Sequence, residues 1–337
     1  MRRFLIFAAK RSAFVIPQLL AVSLIVFTLI RLLPGDPSFM LAGPYASPDR
    51  IAEVHRSLGL NKPIVEQYLQ YLRRISVGDF GTSWRTSQPV LTDIEQRLPA
   101  TLELVVGAVV LSVLIGVPLG VAVANNRGGT VDRLVFTYGM LAGSLPDFWI
   151  GLVLILIFFY ALGWAPAPVG QLGMAVSPPD HITGAYLLDA LLTRDWRSFV
   201  SALSQLVLPV ATLVLVYMPL VLKTTRSTME EMLDSNFVLQ ARASGLSRRT
   251  QLRYALRNAL PSIVTIVGIL FWFLLGGAVL VETIFAWGGL GQYAVESVVN
   301  SDYASLQAVV LVIAVFTTFV FLIVDLLYFV LDPRITI

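Results

Sequence analysis

The sequence predicts an all-α membrane protein: six transmembrane helices, with a small segment outside the bundle after the first. Three observations lead there. Of 337 residues, 56% are hydrophobic and only 13% charged, whereas a soluble domain carries about 25% charged residues. Six apolar stretches reach the roughly 20 residues that a helix needs to cross a hydrocarbon core of about 30 Å. Basic residues gather in alternate connecting segments, as they do when one side of a membrane holds the positive charge.

The first stretch, about 12–33, follows Arg2, Arg3, Lys10 and Arg11. It starts like a signal peptide, but its apolar run is too long and no A-x-A-like site follows, so it reads as an uncleaved signal-anchor. The second covers about 100–124. Pro99 is placed in its first turn, where a missing N–H is tolerated, and Asn125-Asn-Arg-Gly-Gly129 ends it. The third is expected over 132–162 as one tilted span with Pro146 near its middle. The fourth, fifth and sixth cover 201–222, 261–281 and 306–331.

Arg127, Arg133, Lys223, Arg226, Arg242, Arg248, Arg249, Arg253 and Arg257 share a side with the basic N-terminus. Loops 163–200 and 286–305 hold only Arg194 and Arg197. The asymmetry places both termini in the cytoplasm. Segment 34–98 carries seven basic residues but exceeds the roughly 60-residue limit within which such charges count. It reads as an outer cap, with a short amphipathic helix at Ser47-Pro48 bearing Ile51, Val54 and Leu58 on its apolar side.

Several chemistries drop out. With no cysteine there is no disulfide, thiolate or zinc–cysteine site. His55 and His181 lie far apart in polar segments and offer no metal spacing. Lys10, Lys62 and Lys223 are the only lysines, and none follows a phosphate-binding glycine loop. No base is positioned to activate a serine or carboxylate, so no catalytic residue is assigned.

The loop after the fourth span carries the most information. Asp234 or Ser235 is placed to cap a short helix, and Gly245 suits the left-handed position after its end, with Leu246 reaching back to Ala241. Phe237, Ala241 and Ser244 fall on one face, an aromatic anchor among small residues that fits a groove on another protein. The plainer alternative is a surface turn. A second helix, capped by Ser247, presents Leu252, Ala255, Leu256 and Ala259. Beside them Arg249, Arg253 and Arg257 form a stripe suited to anionic lipid.

Ala241-Arg-Ala-Ser-Gly-Leu-Ser, followed by Ala255-Leu-Arg-Asn-Ala-Leu-Pro261, resembles the coupling or "EAA" loop of bacterial ABC importer permeases, above all the dipeptide/oligopeptide/nickel family. Leu33-Pro-Gly-Asp-Pro37, Gly78-Asp-Phe-Gly-Thr-Ser83, Arg97-Leu-Pro-Ala-Thr-Leu-Glu103, Val281-Glu-Thr-Ile-Phe-Ala-Trp-Gly-Gly-Leu-Gly291 and Leu331-Asp-Pro-Arg334 agree in order along nearly the whole chain. Leu239 and Gln240 replace the Glu and first Ala of the general motif, and Phe237 stands where tyrosine is frequent. Trp287-Gly288 replaces a common Trp-Pro, which predicts a looser outer loop.

The resemblance implies a type I permease fold, with residues 1–98 as anchor and cap and 99–334 as the core permease domain, including the coupling loop 223–260. It implies a second permease, two ATPase subunits that hold ATP and magnesium, and an extracytoplasmic binding protein. This chain then binds no cofactor or metal and is not itself an enzyme. Phe237, Ala241, Arg242, Ala243, Gly245 and Leu246 become the ATPase contact. The implied cargo is a di- or oligopeptide, with nickel chelates, glutathione or sugars as alternatives. A self-sufficient secondary transporter is the rival class, but it favours repeat-related halves, and these halves do not match.

Ionisable residues inside spans are functional candidates. Asp147, after Pro146, either lines the pathway and meets a cationic peptide terminus or pairs with a polar group on another helix. Glu282, with Gly288, Gly289 and Gly291, forms either an outer gate or a plain re-entry loop. Glu103 and Asp325 fall near span ends and read as interfacial.

Overall fold

The computed structural model describes residues 2–32, 38, 43, 45–57, 59 and 61–331. Twelve helices are named among them. They are α1 (Arg2–Leu32), α2 (Pro48–Ser57), α3 (Ile64–Ser76), α4 (Val90–Asn125), α5 (Thr130–Ala142), α6 (Asp147–Leu154), α7 (Tyr186–Thr193), α8 (Trp196–Leu233), α9 (Asn236–Ala243), α10 (Arg248–Ile284), α11 (Leu290–Val299) and α12 (Tyr303–Leu331). A π-helical turn, Ile155–Ala161, continues α6. Five of these helices are long and apolar enough to cross a membrane, and the bent pair Thr130–Ala142 with Asp147–Ala161 makes a sixth span if counted as one. Leu58, Leu33–Pro37 and 332–334 lie outside the described residues.

The core is built where α4, α8 and α10 meet. Leu104, Ala108, Leu213, Val221, Leu270, Leu274 and Ala278 are buried there together. Small residues let the backbones close in: a Cβ at Gly120 of α4 would lie 2.8 Å from Thr225 of α8. α1 and α12 flank this core, joined by Arg11 to Asp325 at 3.3 Å.

Three boundaries differ from expectation. α4 begins at Val90, ten residues before the apolar run, so Pro99 sits inside the helix rather than in its first turn. α8 and α10 run past their apolar stretches, so the fifth span and the basic helix before it are one rod with Pro261 inside it. Charged and polar residues are good helix formers once an apolar span has nucleated the helix.

The third span is not one tilted helix. Its two parts lie 106° apart. The break falls at Gly143-Ser-Leu-Pro146, because proline has no N–H to donate to the previous turn and disfavours helical dihedrals in the residue before it. The Pro146 carbonyl starts the new helix, accepting from Trp149 and Ile150 N–H at 3.2 Å each.

At the end of the bundle away from α9, α3 and the segment before α4 dock. Tyr68 of α3 reaches Ser23 at 2.9 Å and Arg31 donates to Gln67 at 2.8 Å, tying α3 to the end of α1. Ser83 Oγ donates to Asp302 Oδ2 at 2.5 Å, pinning the segment before α4 to the start of α12. Arg74 hydrogen bonds hold the Asp79 carboxyl below its ordinary pKa, with the Gly81 N–H adding to the effect against slight burial.

Candidate functional site

α9 is a two-sided helix. Val238 and Ala241 turn inward and share an apolar cluster with Ala124 of α4, Met229 and Leu233 of α8, and Ala255, Ala259 and Ile263 of α10. Phe237 and Leu239 face outward, 40% and 48% exposed. Arg242, Ala243, Ser244, Gly245 and Leu246 are exposed beside them.

The expected single face of Phe237, Ala241 and Ser244 is therefore split. Ala241 is 7% exposed and seats the helix on its own bundle instead of touching a partner. Val238 and Leu239 were missed because an eight-residue helix shows too few turns to reveal which stripe is buried.

The stop after α9 matches the expected motif. Gly245 has φ +75°, a left-handed value that glycine adopts without penalty. Its N–H donates to Arg242 O at 3.0 Å, and Leu246 N–H donates to Ala241 O at 3.1 Å. These are the two bonds of a Schellman stop. The start is different. Ser235 occupies the cap position, but its hydroxyl bonds back to Met232 O and makes no side-chain cap. Ser247 caps α10 as expected, accepting from Thr250 N–H. Ala255 and Ala259 are fully buried, while Arg249, Arg253 and Arg257 stay exposed.

Asp147 opens α6 at the break in the third span, beside α8 and α10. Its Oδ1 accepts from Phe148 N–H at 2.7 Å and its Oδ2 from Tyr217 OH at 3.0 Å. A Cβ at Gly277 of α10 would lie 2.8 Å from that Oδ2, so glycine there lets three helices converge on the carboxylate. Asp147 is only partly buried and Pro146 is exposed. Both alternatives for Asp147 thus have a footing: it has a partner on another helix and keeps an open side.

Glu282 is fully buried. It accepts from Thr101 Oγ1 at 2.6 Å and from Gln292 N–H at 3.0 Å, while Leu290 N–H donates to Thr101 Oγ1 at 2.8 Å. Its expected place in the substrate pathway is corrected: with no exposed surface, it fastens the start of α11 to α4. A Cβ at Gly291 would lie 2.6 Å from Val279 Cα, so the turn closes only with glycine there. Nor is the loop loosened by Trp287-Gly288. Trp287 is buried and donates to Ala100 O at 2.9 Å. Gly288 has φ +81°, which proline cannot reach.

Glu103 Oε1 accepts from Leu187 N–H at 2.8 Å and ties α7 to α4. Burial works to raise the pKa of Asp189 on α7. Hydrogen bonds from the Thr183 hydroxyl and from the N–H groups of Thr183, Ile182 and Gly184 outweigh burial and hold it below its ordinary value. Among the described residues no group of three or more metal-ligating side chains forms a candidate metal site.

Comparison with known families matches residues 116–337 to the binding-protein-dependent transport system inner membrane component. Residues 1–105 match the N-terminal part of binding-protein-dependent transport system membrane components. The chain belongs to this family of multi-pass inner-membrane permeases.

It is 42% identical to the probable D,D-dipeptide transport system permease DdpB of Escherichia coli K12, over 93% of this chain and 92% of that protein. It is 38% identical to the di/tripeptide permease DppB of Pseudomonas aeruginosa and 36% identical to the dipeptide permease DppB of Escherichia coli K12, each over 98% of both chains. A solved chain of the MetNI methionine ABC transporter, in an inward-facing form, shares the fold. Its TM-score is 0.52 at 17% identity, covering 69% of this chain and 93% of that one.

Proposed function

We propose that this chain is the membrane-embedded permease subunit of an ATP-driven importer of short peptides, with α9 as the helix that docks into an ATPase subunit. One observation carries the docking role. α9 is seated on the bundle by Val238 and Ala241 while Phe237 and Leu239 stand exposed ahead of a glycine stop. An interface anchor needs that arrangement: a rigid base and a large apolar side chain with nothing yet covering it. The peptide cargo is supported by near-full-length similarity to permeases named for dipeptides and di/tripeptides.

In this reading both termini and α9 lie in the cytoplasm, and α7, α11 and the segment before α4 lie outside. A second permease completes the pathway. Two ATPase subunits hold ATP and magnesium, and an extracytoplasmic binding protein delivers the peptide. Asp147, at the bend of the third span behind Pro146, lines the pathway and offers its carboxylate to a peptide ammonium group.

The test is uptake in cells lacking this chain. Restored import of L-alanyl-L-alanine that depends on the ATPase subunits supports the proposal. Import restored only for a nickel chelate or a sugar overturns the peptide assignment, and ATPase-independent import overturns the importer assignment.

A further inference from the structure

α5 is the first half of the bent third span, and it does not belong to the apolar cluster that seats α9. That cluster is drawn from α4, α8, α9 and α10. α5 meets α8 at Tyr138, whose hydroxyl donates to Leu215 O at 2.6 Å, and beside that contact an open gap of about 300 Å³ is lined by Val135, Tyr138, Met140, Pro219, Leu222 and Arg226, among others. Leu134, Phe136 and Met140 of α5 are exposed, the last two at the mouth of that gap.

Ionic contacts bridge the lower end of the gap. Arg226 Nη1 lies 2.7 Å from Asp132 Oδ1, and its Nη2 donates to Asp132 Oδ2 at 3.2 Å. The same guanidinium donates through Nε to Glu230 Oε1 at 3.1 Å. Asp132 is held in turn by Gly128 N–H at 2.9 Å, at the start of its own helix. Arg127, in the turn before α5, donates to Glu230 O and to Asp234 Oδ2, both at 2.8 Å, at the end of α8.

The pairs differ in their surroundings. Asp132 and Arg226 side chains are 10% and 27% exposed, whereas Asp234 is 69% exposed. A shielded ion pair that is also hydrogen-bonded holds its geometry, and an exposed pair contributes little.

We propose that Asp132 and Arg226 are a positioning pair that carries movement of α9 and the end of α8 into α5, and through it into the bend that holds Asp147. The chain of contacts is continuous. α9 follows α8 after a two-residue turn, Arg226 lies two turns up α8, Asp132 opens α5, and α5 ends at the bend. Arg127 braces the same junction from solvent. The proposal rests on α9 being the ATPase contact.

The whole transporter, reconstituted with its partner subunits made cysteine-free, tests it. Because this chain has no cysteine, spin labels at Leu134→Cys on α5 and Trp196→Cys at the far end of α8 report the position of α5. The unmodified pair is expected to change the label distance between the nucleotide-free and ATP–vanadate states. Asp132→Asn and Arg226→Gln are expected to remove most of that change. ATPase subunits still co-purify and basal ATP hydrolysis persists, while the ATP spent per imported L-alanyl-L-alanine rises about fivefold or more. The swap Asp132→Arg with Arg226→Asp restores the distance change.

An unaltered distance change in the single variants overturns the proposal. So does loss of ATPase subunits from them, since the pair would then serve docking, and so does a swap that fails where both singles assemble. An unmodified chain that recruits no ATPase subunit overturns the α9 reading itself, and the proposal with it.

Discussion

Replacing Gly245 gives the cleanest test of the stop that shapes the proposed ATPase contact. The backbone there has φ +75°, and a Cβ added to it would meet no atom within 4 Å. Steric crowding within the permease is therefore excluded, and the loss the permease itself suffers comes from the dihedral. Holding an ordinary L-residue in the left-handed region costs about 1–2 kcal/mol. If the substituted chain unwinds the stop instead, it loses the bonds from Gly245 N–H to Arg242 O and from Leu246 N–H to Ala241 O.

Either way, the conformation that presents Phe237 and Leu246 becomes less populated. Apparent affinity falls with that population, by about 5- to 30-fold for 1–2 kcal/mol. The expected order of ATPase affinity is Gly, then Asn, then Ala, then Val, because asparagine visits this region readily and β-branched residues hardly at all. The assay is binding of purified ATPase subunit to the permease in nanodiscs, with ATP hydrolysis stimulated by the binding protein as the second readout. Wild-type affinity in Gly245→Val refutes the reasoning. So does Gly245→Asn as damaging as Val, since the dihedral would then not be the cause.

Three further outcomes are expected. Phe237→Ala removes an exposed anchor, so it leaves the permease folded by thermal melting but lowers ATPase affinity by about 2 kcal/mol, whereas Ala241→Phe overfills the seat and lowers the melting temperature itself. Asp147→Asn keeps the side-chain volume and the acceptor for Tyr217 but drops the charge, so L-alanyl-L-alanine uptake should fall while ATPase binding stays constant; unchanged uptake removes Asp147 from the pathway. Asp189 has a folded pKa below its unfolded value, so the stability it confers is present above the unfolded pKa and is lost only as pH falls through the lowered one. Hydrogen exchange at Ile182–Gly184 should therefore stay slow through the ordinary carboxylate range and quicken below it, and in Asp189→Asn it should be quick at every pH.

The legible features were those encoded locally. A glycine followed by leucine after a short helix states its stop in three residues, and a 20-residue apolar run states a span. The break of the third span was half legible: Pro146 was visible, but whether a proline kinks a helix or ends it depends on what replaces the lost bond. Here Gly143 and Ser144 gave the chain no reason to continue.

The Asp132–Arg226 pair was invisible, because 94 residues separate partners that no local pattern links. Helix lengths were misjudged for another reason. Hydropathy marks where lipid would begin, and α8 and α10 continue beyond it as charged rods.

Two acids in apolar helices looked alike in the sequence and differ in the structure. Each was a candidate because a carboxylate in a span is costly without a partner. Glu282 accepts from a hydroxyl and a backbone N–H and has no exposed face, so its cost is offset internally and its product is a fixed loop. Asp147 also accepts two hydrogen bonds, but it stands at the first position of a helix that begins in mid-span and keeps an open side. The open side leaves lone pairs for a visiting cation. What separates the two is not the charge but whether neighbouring helices have used up its hydrogen-bonding capacity. By that measure the bend of the third span, and not the turn at Glu282, keeps the unused hydrogen-bonding capacity that the proposed substrate contact requires.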